Sequence, residues 1–447
     1  MKGTVAFLVA LSLSLLAVSS SPCEEGKTGW ERFKLTYAVD KSGFEKLVSH
    51  RLIEPEVKNF IRLPTVRNAA GFAAGFSAGQ MRVDTDGDGD FDVKSRKPSF
   101  LAKFELTFPD GASADYAAFV YRYNTRLGEK TETPLYRWRR ACCMKGRVKG
   151  ERIEVFDDNA DGLYDGLFED SIRVGRNACA APYTGLIVLK GTLYECCLDP
   201  HGRFIEVRPY SGPTGTVDVF SAFEPPAKHP VPLVCVLETR KDGKRFGLDV
   251  AACKECPVPA GEYSLKFAAL SKRIFVRAGK HAPVVVKAGG KTVVKWGGPW
   301  SLDARVWCEM GGYEIEVDTS GPYPKWTQAP SDDPYVKITF PVLRGAEGEE
   351  YYGNPLYADL EGNCFPEDVD SFTVLILDPR KKQINKGKHI WKSRDNTGYG
   401  YSEGRTFEKY QCPFPEYRGD AVVILRCSTR AFGELELKKK VEIVFQE

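Results

Sequence analysis

The sequence predicts an all-β, multidomain protein made of antiparallel β-sandwiches that carry calcium sites in their loops. Short apolar runs alternate with turns along the chain after residue 33, and strong helical periodicity is absent. The 42 glycines and 28 prolines suit short strands joined by many turns rather than disorder. A chain of 447 residues is too long for one ordinary core, so we expect about two to four domains.

The first residues are typical of an export signal. Lys2 gives a positive start, residues 5–18 form an apolar run, and the small residues Ser19, Ser20 and Ser21 follow. This run is too short to span a membrane, and signal peptidase is expected to cleave after Ser19 or Ser20. No later apolar run reaches the ~18 residues that a spanning helix needs. We therefore expect a protein that is secreted, periplasmic or at the cell surface, without a membrane span.

Charge and cysteine content narrow the function further. The formal net charge of +3 comes from 63 basic and 60 acidic residues, which favours neither nucleic acid nor an anionic membrane as a partner. The expected partner is instead an extracellular protein or a glycan. In an exported chain, 13 cysteines indicate disulfides, and the odd number leaves at least one thiol unpaired or bonded to another molecule. Alternatively, several are small buried apolar side chains.

Composition divides the chain into five predicted segments. Prolines at 225, 226, 230 and 232 interrupt the β-like pattern and predict a linker. Strand-like runs beyond it predict a small antiparallel sandwich, and those beyond Gly297-Gly298-Pro299 an immunoglobulin-like sandwich that closes with a hairpin around Ala431-Phe432-Gly433. The predicted division is a signal peptide at 1–20, a β-rich domain with two acidic loops at 21–224, a linker at 225–232, a small sandwich at 233–300 and the immunoglobulin-like sandwich at 301–447.

The small sandwich contains a recognisable turn. Pro259-Ala-Gly261-Glu-Tyr263 resembles the Pro-x-Gly-x-Tyr turn with which carboxypeptidase-regulatory and prealbumin-like sandwiches enter a strand. The resemblance covers one turn and one strand, and it implies that fold for residues 233–300.

Two acidic loops share one template, with oxygen-bearing side chains at positions 1, 3, 5 and 9 and glycine at position 6. Ca²⁺ takes about six to eight oxygen ligands, and every second side chain of a curling loop can point inward towards one ion. Glycine at position 6 permits the sharp turn, and the backbone carbonyl of position 7 can add a ligand. The predicted calcium ligands are Asp84, Asp86, Asp88, Asp90 and Asp92 in the first loop and Asp157, Asn159, Asp161, Leu163 and Asp165 in the second.

These loops do not fit an EF-hand, which needs a glutamate at position 12 and a helix on each side. Position 12 is Ser95 in the first loop and Phe168 in the second, and the flanking residues 81–83 and 172–174 are short and β-like. We therefore expect each ion in a hairpin loop between strands. The alternative is an acidic turn that binds nothing, although carboxylates crowded this closely repel one another without a cation.

The template resembles the Asp-x-Asp-x-Asp-Gly-x-x-Asp loops of integrin-type propeller repeats and other extracellular modules. The aromatic residue at position 8, Phe91 or Tyr164, is expected to anchor each loop to the core. Because Asn159 replaces a carboxylate, the first template is the more acidic. Residues 153–175 and 202–213 also resemble a segment that recurs in exported proteins of environmental bacteria such as planctomycetes, a family without an assigned activity.

Other motifs give weaker signals. Gly75-Phe-Ser77-Ala-Gly79 has the letters of a nucleophile elbow, but no helix follows it as that motif requires. Cys253-Lys-Glu-Cys256 has the spacing of a redox pair or half a zinc site, and a local disulfide is the favoured interpretation. Arg418-Gly-Asp420 is interpreted as a turn before a strand rather than an adhesion signal.

The favoured interpretation is an exported, non-enzymatic, calcium-binding modular protein with a structural or binding role. A carbohydrate-binding protein is the alternative, because aromatic faces stack on sugar rings, although core packing explains tryptophans equally well. An enzyme of unrecognised type is the third. The tryptophans that motivate the alternative are Trp296, Trp300, Trp307, Trp326 and Trp391.

Overall fold

The protein is all-β, as its sequence predicts. A computed structural model describes residues 29–39, 60–61, 72–77, 80–124, 134–175, 180–353, 372–389, 407–411 and 419–443, with short gaps at 87, 89, 98, 230, 242–243, 272–273, 319–324, 340 and 382. Within those ranges every regular element is a strand except one 3₁₀ turn, Val250–Ala252. None of these residues forms a helix long and apolar enough to cross a membrane. The predicted signal peptide lies outside the described residues.

The part of the chain before residue 225 forms strands β1 to β17. Their bounds are β1 (Glu31–Val39), β2 (Phe60–Ile61), β3 (Phe72–Ser77), β4 (Gln80–Val83), β5 (Val93–Ser95), β6 (Ser99–Thr107), β7 (Ser113–Asn124), β8 (Pro134–Arg140), β9 (Cys142–Val148), β10 (Glu151–Phe156), β11 (Ser171–Val174), β12 (Ala181–Pro182), β13 (Leu186–Leu189), β14 (Thr192–Leu198), β15 (Phe204–Pro209), β16 (Thr214–Asp218) and β17 (Phe223–Glu224).

Strand β6 shows why these segments extend. Ala102, Phe104 and Leu106 are buried, whereas Lys103 and Glu105 between them are exposed. Alternate side chains of a strand point to opposite faces, so this period of two buries one face of the sheet. The order β6-β7-β8 forms one antiparallel sheet and β2-β3-β4-β5 another, and apolar side chains from both meet in one core.

A larger antiparallel sheet has the order β12-β11-β10-β9-β1-β15-β14-β13. Strand β1 joins its two halves, because residues 31–34 pair with β15 and residues 35–39 pair with β9. A separate core covers this sheet and includes Ile153, Val155 and Ile172 from β10 and β11. Both acidic loops are therefore attached to strands with buried side chains.

Residues 234–303 add strands β18 to β26. Their bounds are β18 (Val234–Lys241), β19 (Lys244–Asp249), β20 (Cys256–Pro259), β21 (Gly261–Ser271), β22 (Ile274–Arg277), β23 (Val284–Val286), β24 (Lys291–Val293), β25 (Trp296–Gly297) and β26 (Ser301–Asp303).

The last part of the chain adds strands β27 to β35. Their bounds are β27 (Val306–Asp318), β28 (Lys325–Thr339), β29 (Val342–Arg344), β30 (Glu350–Tyr352), β31 (Phe372–Leu377), β32 (Gln383–His389), β33 (Phe407–Gln411), β34 (Gly419–Thr429) and β35 (Gly433–Ile443). Strands β34 and β35 pair around the predicted hairpin turn, with Thr429 opposite Gly433.

One sheet of the second half crosses residue 300. Its order is β19-β18-β21-β22-β30-β29-β26, with β23 paired to β21. Phe275 of β22 lies opposite Tyr352 of β30, and short parallel pairs join β16 to β24 and β17 to β25. The remaining strands form the sheets β27-β28-β33 and β32-β31-β34-β35. The predicted domain boundaries and the two named sandwich families stay predictions.

Candidate metal centres in two hairpin loops

The first acidic loop connects two paired strands. Val83, the last residue of β4, lies opposite Val93, the first residue of β5. Met81 and Val83 are buried in the core beneath them. The loop is therefore a hairpin loop flanked by strands, as expected, and not the helix–loop–helix of an EF-hand.

Three carboxylates of the first loop converge. Asp84, Asp86 and Asp88 each offer an oxygen, and these oxygens all lie within 4.8 Å of one another. Each carboxylate also accepts a hydrogen bond from the backbone N–H two residues later: Asp84 from Asp86 at 3.3 Å, Asp86 from Asp88 at 3.2 Å and Asp88 from Asp90 at 2.8 Å. These turns orient alternate side chains to the same side. Asp84 is buried, whereas Asp86 and Asp88 are exposed.

Asp92 bonds to the first residues of the same loop. Its Oδ2 accepts hydrogen bonds from the Thr85 backbone N–H at 2.7 Å and from the Thr85 hydroxyl at 2.9 Å, and the N–H bond is the main cause that lowers the pKa of Asp92. Asp92 thus ties the end of the loop to its beginning. The side chain of Asp90 is exposed, and neither residue belongs to the converging group.

The second acidic loop is also a hairpin loop. Phe156, the last residue of β10, lies opposite Ser171, the first residue of β11. Asp157 and Asp170 are thus the first and last residues of the loop, and both are buried. Asp170 Oδ1 accepts the Asp158 N–H at 3.0 Å and Oδ2 accepts the Gly166 N–H at 2.8 Å.

Asp157 organises the interior of this loop. Its Oδ1 accepts the Asp161 N–H at 3.1 Å, and its Oδ2 accepts the Gly162 N–H at 3.0 Å and the Tyr116 hydroxyl at 2.9 Å. Gly162 at position 6 has a φ of 90°, in the region that residues with a Cβ avoid. The sequence-based reason for this glycine is therefore correct.

Positions 3 and 5 are linked to one another and to a residue outside the template. The Asn159 amide donates to Asp161 Oδ2 and to Glu169 Oε2, each at 3.1 Å. Asp161 Oδ1 accepts the Leu163 N–H at 2.8 Å. Tyr164 at position 8 is buried in the core beside the loop, as predicted, whereas its counterpart Phe91 is only half-buried.

A buried arginine lies beneath the second loop. Arg140 donates from Nε to the Asp157 carbonyl at 2.7 Å and from Nη2 to Asp158 Oδ1 at 3.0 Å. It also donates from Nη1 to the Cys142 carbonyl. Its guanidinium thus holds both a backbone carbonyl and a carboxylate of the loop.

Burial and mutual repulsion disfavour ionisation of these carboxylates. Burial, followed by the neighbouring Asp161 carboxylate, raises the pKa of Asp157 to about 7. Burial also raises the pKa of Asp161 and of Asp165. The pKa of Asp170 lies well above its usual range, because of burial and then the charges of Asp157 and Asp158. A bound cation is the kind of partner that would keep such carboxylates ionised at neutral pH.

The two loops differ in geometry and in surroundings. Among the residues that the structure describes, only the first loop brings three carboxylates, those of Asp84, Asp86 and Asp88, within 4.8 Å of one another. The described residues of the second loop form no group of three carboxylate oxygens at that spacing. The first template is the more acidic, but the folded second loop also gathers Asp158, Asp170 and, through Asn159, Glu169.

Sequence patterns missed several residues of the second loop. Asp170 lies beyond the nine-residue template, and its position directly before strand β11 is the signal that could have found it. Tyr116 and Arg140 come from the distant strands β7 and β8. Because both residues are distant from the loop along the chain, no local sequence pattern predicts their contacts with it.

Three other sequence motifs lie on strands or beside a turn. Ser77 ends β3 and lies opposite Gln80 of β4, so a strand follows it and not the helix of a nucleophile elbow. Cys253 and Cys256 are both thiols, so the expected local disulfide is not formed in this structure. Gly419 and Asp420 begin β34, and Arg418 lies outside the described residues.

The described tryptophans pack against protein. Trp296 is 2% exposed and donates from Nε1 to the Val219 carbonyl at 2.8 Å. Trp300 packs edge-on against Tyr351 and Phe432, and Trp307 lies beside the Arg305 guanidinium. The side chain of Trp326 and the whole of Trp391 lie outside the described residues.

Comparisons of the chain with protein-family models, with curated proteins and with solved structures give no match. Function is therefore inferred from the chemistry of the two loops.

Proposed function

We propose that this chain is an exported, non-enzymatic protein in which two hairpin loops bind Ca²⁺, and that it has a structural or binding role outside the cytoplasm. The observation that carries the proposal is the convergence of carboxylate oxygens from Asp84, Asp86 and Asp88 within 4.8 Å of one another. Carboxylates at such spacing suit a hard divalent cation that takes several oxygens.

The second loop supports the same chemistry in a different setting. Its buried carboxylates carry raised pKa values, and Ca²⁺ would supply the charge that offsets their repulsion. Asn159 already contacts both Asp161 and Glu169, so three oxygen-bearing side chains lie side by side in this loop. Extracellular calcium modules commonly bind with dissociation constants of roughly 0.1 to 1 mM, an affinity suited to an exported protein.

The position of the loops points to a stabilising role. Each loop closes a hairpin that contributes buried side chains to a core, from β4 at the first loop and from β10 and β11 at the second. An ion that fixes the loop would therefore hold the ends of both strands together. The expected export, and the resemblance of residues 153–175 and 202–213 to exported bacterial proteins, agree with such a role.

Calorimetric titration of the full chain with CaCl₂ tests the proposal. Asp86→Asn combined with Asp88→Asn keeps the side-chain oxygens that accept backbone hydrogen bonds but removes two charges, and it should abolish binding at the first loop. Asp161→Asn should weaken binding at the second. Asp420→Asn, on the exposed strand position of β34, is the matched control and should bind like the parent. Absence of binding heat in the parent chain, or identical titrations for all four proteins, would contradict the proposal.

A further inference from the structure

Cys253 and Cys256 lie between a 3₁₀ turn and strand β20, outside the two calcium loops. Cys253 follows the 3₁₀ turn Val250–Ala252 directly, and Cys256 is the first residue of β20. Both are thiols. Two residues separate them, the spacing at which two cysteine sulfurs commonly share a proton or a bond.

Cys256 is held in place by the fold. It is completely buried in the largest core, and it lies opposite Val217 of β16. Its Sγ donates to the Asp249 carbonyl at 3.8 Å or to its neighbour Pro257 at 3.9 Å. Its position on a paired strand leaves it little freedom to move.

Cys253 has the opposite surroundings. Its side chain is partly exposed, and Lys254 and Glu255 beside it are exposed. It ends the turn in an extended conformation, with φ −155° and ψ 160°. A hydrogen bond from Cys256 lowers the pKa of the Cys253 thiol, while the same contact raises the pKa of Cys256. The exposed sulfur is thus the one that ionises first, and the buried sulfur keeps its proton.

We propose that Cys253 and Cys256 form a redox-active dithiol that exchanges with small-molecule disulfides, Cys253 being the attacking thiol and Cys256 the resolving thiol. Two observations carry the proposal: the two-residue spacing between two thiols, and the difference in exposure between an accessible first cysteine at the end of a turn and a buried second one on a strand.

The exchange balances in two steps. The Cys253 thiolate attacks one sulfur of an external disulfide R–S–S–R, a mixed Cys253–S–S–R bond forms, and one thiolate RS⁻ leaves. Cys256 then loses its proton and attacks the Cys253 sulfur, the internal disulfide forms, and the second RS⁻ leaves. The protons from the two cysteines convert both leaving groups to RSH, and two electrons pass from the dithiol to the external disulfide.

The internal disulfide is expected to be reversible. The ring it closes spans only two residues between the cysteines, so it restricts the unfolded chain much less than a long loop would. Partial exposure of Cys253 also leaves the bond open to attack by reducing thiols. Because Cys256 is fixed on β20, formation of the bond requires movement of Cys253 and the end of the turn.

Trypsin digestion provides a specific readout, because Lys254 lies between the two cysteines. Cleavage there yields peptides 246–254 and 255–266 from the reduced chain, whereas the internal disulfide keeps the two peptides joined. The native full chain would be equilibrated in mixtures of reduced and oxidised glutathione, alkylated, digested and analysed by mass spectrometry. The joined fraction should rise from about one tenth to about nine tenths over a roughly hundredfold change in the ratio of oxidised glutathione to the square of reduced glutathione.

Single variants assign the two roles. Cys256→Ser should accumulate a glutathione adduct on Cys253, because the resolving thiol is missing. Cys253→Ser should leave the buried Cys256 unmodified, and this variant alters only a partly exposed side chain, so it tests the roles even if Cys256→Ser does not fold. Cys427→Ser removes another buried thiol, on β34, and should leave the transition unchanged. Two free thiols in every buffer, a joined pair that persists in every buffer, or glutathione on Cys256 in Cys253→Ser would overturn the proposal.

Discussion

Arg140 shows how one side chain connects an acidic loop to the body of the protein. Its guanidinium donates to the Asp157 carbonyl, the Cys142 carbonyl and the Asp158 carboxylate. All of these groups are buried. A charged pair in the interior contributes little net stability as a pair, but removal of one partner leaves the other charge uncompensated.

Replacement of this arginine should therefore be costly. We expect Arg140→Met to lower the free energy of unfolding by about 3 to 5 kcal/mol, as measured by urea denaturation of the full chain. Arg147→Met, on the exposed face of the neighbouring strand β9, is the control and should change stability by less than about 0.5 kcal/mol. Equal losses in the two variants would show that Arg140 does not stabilise the loop as described.

The negative charge of Asp249 opposes folding. Burial raises its pKa to about 6, although the Cys235 and Ala251 N–H groups oppose the shift. Its charge in turn disfavours ionisation of the Cys235, Cys253 and Cys256 thiols. Since the folded state holds the proton more tightly than the unfolded state, this residue's contribution to stability is fully present below about pH 4 and is lost as the pH rises through 6.

The variant Asp249→Asn tests this pH dependence. Both backbone N–H groups donate to the same oxygen, Oδ1, so asparagine can keep both hydrogen bonds while it removes the charge. Relative to the variant, the parent chain should lose about 1 to 2 kcal/mol of stability between pH 4 and pH 7. The loss is smaller than the pKa shift alone implies, because partial exposure screens the charge. Parallel stability curves for the two proteins across this range would contradict the assignment.

At the scale of elements, the hairpin loops were the part of the fold that local sequence predicted best. Alternating apolar runs on both sides predicted strands, and those strands pair across each loop. Three residues of the first template, Asp84, Asp86 and Asp88, lie close together in the fold. It did not predict that Asp92 would bond to Thr85, because a carboxylate at that position can serve an ion or the backbone equally well, and sequence spacing does not distinguish the two.

Gly162 gives a test at this scale. Gly162→Ala should lower the free energy of unfolding by about 1 to 2 kcal/mol, because alanine is strained at a φ of 90°, and it should also weaken calcium binding at the second loop. Gly111→Ala, at a φ of 84° in another turn, is the matched control. Calorimetry should show a comparable loss of stability in both variants but weaker calcium binding only in Gly162→Ala. Unchanged calcium affinity in Gly162→Ala would show that this turn is not part of the proposed site.

At the scale of the whole molecule, long-range pairing could not be read from the sequence. Composition suggested boundaries at the prolines and at Gly297-Gly298-Pro299, yet strands pair across residue 300 and one core extends from Val188 to Val441. Local composition detects turns and linkers, but it carries no information on which distant strand completes a sheet. For the same reason, the sequence did not predict the hydrogen bond from Tyr116 to Asp157 in the second loop.

This shared core predicts cooperative unfolding of the second half. Leu265→Ala and Leu425→Ala remove buried side chains from the two predicted sandwiches, and both residues belong to the same core. Each should cost about 2 to 5 kcal/mol and lower the same calorimetric transition. If the two substitutions shift separate transitions, the two sandwiches unfold independently and the predicted boundary at residue 300 is supported instead.

Thermal unfolding of the full chain with and without calcium tests the central claim most directly. With dissociation constants near 0.1 mM, 1 mM free Ca²⁺ should stabilise the folded state by about 1.4 kcal/mol for each occupied loop, and the melting temperature should rise by several degrees over that in excess chelator. The rise should disappear when Asp84→Ala and Asp157→Ala are combined. Equal melting temperatures of the parent chain in calcium and in chelator would contradict the account.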